Sequence, residues 1–346
     1  MNEGPKVFVS RLMNLITKDI TIYNPSIKDY KLFKKNNHKN NLILRLDGIT
    51  YYRFNNVSLS NYLSKLGHNR ILIRIIKKYF PQRDSKYFNY LFNFYINRIS
   101  FIYLKSGHKI VFQSFLSLEM HKFLFKKLNW NKINYKIILN GIDVNNFANA
   151  LPAKLDGDPR VIISASMFRI NKRLFEAINL INYLRDMYPN IHLHVIGNLD
   201  ILVENQMEHL DLSSITFHGL IKVEKLSSFY LGCDMQLSLS IFDPCPNVVI
   251  EGLACGLPVI TPKQSGASEL IGNTNHSWSV DEDIAFGFYF LHDKKKFIPF
   301  NYDAYIKVFT NVYENLVLNK IKAKKRSNDL DINKISDQYL SFFCDV

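Results

Sequence analysis

From Pro159 onward the chain alternates short β-branched or aliphatic runs with helical periods, and this constrains the fold more than any other feature. A doubly wound parallel sheet requires such alternation. Val161 to Ala165 reads as a first strand, followed by a helix from about Lys172 with Leu174, Ala177, Ile178, Ile181 and Leu184 apolar. His192 to Gly197 reads as a second strand ending in a glycine turn, and Ile215 to Gly219 as a third, with a helix around Leu226, Phe229 and Tyr230. Asp234 to Leu239 and Pro258 to Thr261 complete the set. Ligands of such sheets gather at the carboxyl ends of the strands.

The first half shows strands at Leu42 to Leu46, running into Asp47-Gly48, at Ile110 to Phe112 and at Ile137 to Asp143. Residues 59–80 predict an amphipathic helix with Leu63, Leu66, Ile73, Ile76 and Phe80 on one side and Lys65, Arg70, Arg74, Lys77 and Lys78 on the other. A Pro- and Asp-rich linker at residues 151–159 separates an expected N-terminal domain, 1–153, from a C-terminal one, 154–328, with a final helix over 329–346 expected to pack back on the first domain. A chain of 346 residues suits two domains.

Charge is distributed unevenly. Residues 1–153 carry 25 Lys and Arg against 7 Asp and Glu, within a chain whose net charge is +14. The first half therefore suits an anionic surface or ligand, although an Asn-, Lys- and Ile-rich sequence also places lysine on any solvated face. Four cysteines without paired metal-ligand spacing, and no charged-then-apolar leader, point to a cytoplasmic setting. The greasiest stretch, Tyr87 to Leu104, is broken by Asn89, Asn93, Asn97 and Arg98, too polar for a bilayer span.

The most informative chemistry lies between Asp243 and Glu251, two carboxylates at the two ends of a strand-to-helix turn. Pro246 suits the first turn of a helix, whose following residues Asn247, Val248 and Val249 then offer unpaired N–H groups to an anion. Glu251, one turn on, is better placed to accept from ribose hydroxyls than to face a phosphate. A phosphorylated sugar fits this turn.

The run resembles the acidic motif of retaining family-4 glycosyltransferases (glycosyl transferases group 1, GT-B fold), in which two glutamates separated by seven residues bind the nucleotide-sugar donor; Asp243 takes the first position here. Val111 to Ser114, Asn140-Gly141-Ile142-Asp143 with Phe147, Phe217-His218-Gly219 with Leu226, Tyr230 and Asp234, and Ser265 to Glu269 are similar to that family's other segments, in the family's order. The resemblance implies two Rossmann-like doubly wound domains facing a cleft, with the donor held by the second domain, the acceptor by the first, and no metal or bound cofactor.

It further implies an Arg and a Lys countering the pyrophosphate. Arg169 and Lys172 are the candidates, with Arg173 able to replace either, since the family's commoner spacing would put the Arg at Met167. Asp243 would orient the sugar, Glu251 the ribose, and Asn247, Val248, Gly266 and Glu269 would line the donor side. Asp47 and Gly48 are acceptor-side candidates. Gly4-Pro5 resembles the glycine loop that follows the family's first strand, with only three residues before it. The expected reaction is retaining transfer of a sugar from a nucleoside diphosphate to a glycan or lipid-linked acceptor, with a peripheral contact to an anionic membrane face. A nucleotide-sugar epimerase of the same fold, or a basic nucleic-acid binder without enzymatic activity, are the competing readings, the latter lacking any recognised nucleic-acid motif.

Overall fold

A computed structural model describes residues 12, 21–24, 26–36, 42–46, 97–205, 207–241, 243–282 and 300–344. Asp47, Gly48, the Gly4-Pro5 loop and the predicted basic helix over 59–80 lie outside these residues. Contacts divide the chain into two units, an N-terminal one of Lys18–Phe112 with Ser117–Lys136, and a C-terminal one that includes Gln113–Leu116 and Ile137–Val346.

The N-terminal unit holds a sheet in the order β1 (Thr21–Tyr23), β2 (Leu42–Leu46), β3 (Lys109–Phe112) and β4 (Tyr135–Ile137). β1 with β2 and β2 with β3 pair in parallel. Every residue of β2 is buried, as a strand covered on both faces requires. Helix α1 (Ile27–Asn36) packs Tyr30 and Phe33 toward Tyr103 in the helical residues 97–104, the Phe33 and Tyr103 rings 4.9 Å apart. Helix α2 (Phe115–Leu124) follows β3. The segment predicted as a strand from Ile137 to Asp143 is extended only at its start; beyond Ile137 it leaves the sheet, and Ile142 forms an isolated parallel bridge to Asp331.

The C-terminal unit carries a six-stranded, all-parallel sheet: β5 (Arg160–Phe168), β6 (His192–Leu199), β7 (Ile215–Gly219), β8 (Met235–Leu237), β9 (Val259–Pro262) and β10 (Ser279–Val280), in the order β10-β9-β8-β5-β6-β7. Counted from β5 this is the doubly wound order 3-2-1-4-5-6, and the strand order reverses between β5 and β8. Val161 pairs with Leu193 on one side and Met235 on the other, so β5 is central.

Helix α3 (Val144–Ala148) precedes the sheet, and α4 (Leu174–Leu184), α5 (Val223–Gly232), α6 (Asn247–Ala254), α7 (Gly266–Ile271), α8 (Tyr302–Glu314), α9 (Leu316–Asp329) and α10 (Ile332–Cys344) follow its strands. α4 shows how the sequence sets the packing: Leu174, Ala177, Ile178, Ile181 and Leu184 recur every three or four residues and are all buried. The helix begins at Leu174 and not at Lys172, because a 3-10 turn over Ile170–Lys172 intervenes and Arg173 adopts φ 55°. β6 does not stop in a turn at Gly197. It runs on to Leu199, and Gly197 at φ 139° lies where a Cβ would fall 1.9 Å from the Ala165 carbonyl oxygen, beside a register shift in the β5–β6 pair.

The sequence placed a domain boundary after residue 153 and set the last helix apart. Contacts count both Ile137 to Ala153 and α10 with the C-terminal unit, where the Ile142 N–H donates to Leu330 O (3.0 Å) and the Ile332 N–H to Ile142 O (2.9 Å). No described helix is long and apolar enough to cross a membrane.

Candidate donor-binding site

The site builds from the switch in strand order. The loop leaving β5 and the loop leaving β8 emerge side by side there, which brings together residues 71 positions apart: Lys172 Nζ donates to Asp243 Oδ2 at 2.5 Å, each side chain about a fifth exposed (22% and 23%). Arg169, at the start of the same turn, is half-buried, with an Nε that has no hydrogen-bond partner among the described residues.

Arg173 goes elsewhere. Its Nη1 reaches both oxygens of Glu282 (2.6 and 2.8 Å), its guanidinium lies 5.4 Å from the Phe300 ring centre, and it is 3% exposed. Tyr305 Oη also donates to Glu282 at 2.8 Å. The left-handed conformation at Arg173 turns this side chain into the core, so sequence proximity to Lys172 does not make it interchangeable with Lys172. Where the sequence left Arg173 able to replace either cation, its guanidinium is held by Glu282.

Pro246 occupies the cap position of α6 (φ −71°, ψ 114°), one place earlier than a first-turn proline. Asn247 and Val248 form the first turn. The Val249 N–H is not unpaired, as the sequence suggested, because it donates to Pro246 O at 3.0 Å. Two buried amides fix this end of the helix. Asn140 Nδ2 donates to Asn247 Oδ1 (2.7 Å) and to Cys245 O (3.4 Å), and Gln236 Nε2 on β8 donates to Val248 O (3.0 Å). Gly252 lets Gln236 in: a Cβ there would fall 1.8 Å from Gln236 Oε1.

Gly266 has a comparable reason. Its N–H donates to Asp243 O at 3.0 Å, and a Cβ would sit 1.8 Å from Pro244 O, so only glycine lets α7 approach the acidic turn this closely. Glu269, expected on the donor side, instead caps a helix start: its carboxylate accepts the Phe115 and Leu116 N–H groups at 2.6 and 2.8 Å, all counted within the C-terminal unit. Burial raises its pKa, and the two N–H groups partly offset this. A carboxylate at a helix start is electrostatically favourable and is already committed there.

Glu251 stands one turn along α6, where Tyr230 Oη on α5 donates to its Oε2 at 3.4 Å. Tyr230 Oη is also 2.6 Å from Ser164 Oγ on β5. Sequence reading missed Ser164, Gln236 and the site role of Asn140. Two belong to strands with apolar neighbours, where a polar residue carries no spacing signal. Among the described residues no group of three His, Cys, Asp or Glu side chains is arranged to hold a metal ion.

Residues 149–285 match the family model described as glycosyl transferases group 1. Solved structures share the fold at low identity. The pneumococcal O-GlcNAc transferase GtfA in complex with UDP and GlcNAc is 13% identical over 97% of this chain and 59% of its own (TM-score 0.61). Sucrose-phosphate synthase from Thermosynechococcus elongatus is 13% identical over 98% and 77% (0.63). Anabaena HepE in complex with UDP-glucose is 14% identical over 99% and 82% (0.57). No curated protein matches significantly. The fold is therefore GT-B, with a glycosyl transferases group 1 domain in its C-terminal unit. The chain spans less than two thirds of the O-GlcNAc transferase's length.

Proposed function

We propose that the protein transfers a sugar from a nucleoside diphosphate donor to a glycan or lipid-linked acceptor, as a family-4 enzyme with retention at the anomeric carbon. One observation carries this reading: Lys172 and Asp243 meet where the strand order reverses, beside the start of α6. As the glycosidic bond breaks, negative charge gathers on the leaving pyrophosphate. Lys172, Arg169 and the first-turn N–H groups at Asn247 and Val248 counter it, and pre-placed charges and dipoles of this kind lower such barriers without reorganising. Asp243 then orients the sugar and Glu251 accepts from the ribose. In this reading the chain's own cations suffice without a metal or bound cofactor.

The relatives bound to UDP and UDP-glucose make uridine donors the first to test. The basic first half suits a lipid-linked acceptor at an anionic membrane face, with the protein cytoplasmic and peripheral. The test is release of nucleoside diphosphate from a panel of nucleotide sugars, with and without glycan and lipid-linked acceptors, and the anomeric configuration of the product read by NMR. A glycoside with the donor's configuration supports the proposal. An altered sugar formed without any acceptor would favour an epimerase and contradict it.

A further inference from the structure

The buried hydroxyl pair behind Glu251 has no part in the mechanism above. Ser164 is 8% exposed and Tyr230 0%. A phenol in that setting needs its hydrogen-bonding capacity met from within the protein. The direction of the chain follows from chemistry. An ionised carboxylate only accepts, so the single proton of Tyr230 points to Glu251 Oε2, and Tyr230 Oη must then accept from Ser164 Oγ. The three groups come from β5, α5 and α6 respectively, so the chain ties the carboxylate of a helix to the central strand through a core side chain. Burial and the neighbouring Glu251 charge both raise the Tyr230 pKa, which keeps its proton in place.

We infer that Tyr230, oriented by Ser164, is a positioning residue that fixes the Glu251 carboxylate for recognition of the ribose of the nucleotide donor. This rests on the functional reading above. Holding one carboxylate oxygen sets the rotamer from which the group accepts the ribose hydroxyls, and a pre-set acceptor loses less rotamer freedom on binding. The consequence is selectivity for ribose over 2′-deoxyribose, not general affinity for the diphosphate.

Calorimetry with uridine, guanosine and adenosine diphosphates, each beside its 2′-deoxy form, reads this directly. The wild type is expected to prefer the ribose form by about tenfold, the scale of one hydrogen bond to a charged group. Tyr230→Phe should bring that ratio to about threefold or below while leaving affinity for the 2′-deoxy form and competition by inorganic pyrophosphate within about twofold. A merely structural role would lower all three together. Ser164→Ala, which removes little volume, should move the ratio in the same direction and guards against a Tyr230→Phe protein that does not fold. Variants that keep the wild-type ratio would overturn the inference alone. A wild type that binds nucleotides without telling ribose from deoxyribose would overturn it together with the ribose role of Glu251, and one that binds no nucleotide would overturn the donor-site reading as well.

Discussion

Lys172 and Asp243 neutralise each other across the mouth of the strand-order switch, Nζ to Oδ2 at 2.5 Å, although the sequence reading gave them separate tasks, the pyrophosphate for Lys172 and the sugar for Asp243. A donor that uses both must part them. Asp243→Asn is therefore expected to tighten binding of the bare nucleoside diphosphate about threefold, since a partly exposed pair of this kind contributes up to about 1 kcal/mol. Calorimetry with the diphosphate alone measures it, and weaker binding would show that the pair assembles the site instead of restraining it.

Lys172→Ala should lower kcat/KM by roughly tenfold to a hundredfold, through loss of a charge-assisted phosphate contact of about 1.5–3 kcal/mol. Steady-state kinetics with saturating acceptor is the check. Normal kinetics would shift the phosphate role to Arg169.

Arg173→Met should behave differently. It strands the Glu282 carboxylate, whose side chain is 1% exposed, and uncompensated buried charge costs about 3–5 kcal/mol. Denaturant unfolding should show that loss. A variant of native stability but impaired donor binding would mean that Arg173 touches the donor after all.

Gly266→Ala forces a methyl group to within 1.8 Å of Pro244 O unless the acidic turn moves. Overpacking of this kind costs about 1–3 kcal/mol. Donor affinity should fall along with thermal stability, because the carbonyl that must retreat adjoins Asp243. Unchanged donor affinity in a destabilised variant would uncouple α7 from the site.

A histidine cluster is expected to make the C-terminal unit sensitive to acid. His194 Nε2 donates to Asp156 O (3.0 Å) in the segment ahead of β5, and its Nδ1 accepts from His218 Nε2 (3.1 Å), with the His192 ring 5.0 Å away. Burial first, then the neighbouring imidazoles, lower its pKa to about 4, against opposing contributions from Asp156. The folded state thus binds the proton less readily than the unfolded chain. This contribution is complete above pH 6.5, the ordinary histidine value, and is lost as pH falls from there toward 4. His194→Asn should flatten stability against pH in that window, and denaturant titrations at intervals across it would show an unaltered slope if the cluster is irrelevant.

The parallel sheet was legible because both its faces are buried: runs such as Val161 to Ile163 carry a strand signal that needs no partner to be read. Asp243, Asn247, Val248 and Glu251 were legible as candidates because they fall within one local strand-to-helix turn. What the sequence could not convey were consequences of backbone geometry and distant packing. The φ of Arg173 turns a surface cation into the core, and the Phe115 and Leu116 amides claim Glu269 from more than 150 residues away. β1, three residues long with no alternation, gave no signal at all.

The central claim is that the carboxyl ends of β5 and β8 hold a nucleotide sugar. Thermal unfolding of the wild type and of Glu251→Gln, each with a panel of nucleotide sugars, tests it most directly, because a ligand at about a hundred times its Kd stabilises the native state by about 2.7 kcal/mol. The account predicts an upward shift in Tm for the wild type with at least one nucleotide sugar, and a markedly smaller shift for Glu251→Gln, whose side chain keeps its shape but loses its charge. No shift with any donor, or equal shifts for both proteins, would contradict it.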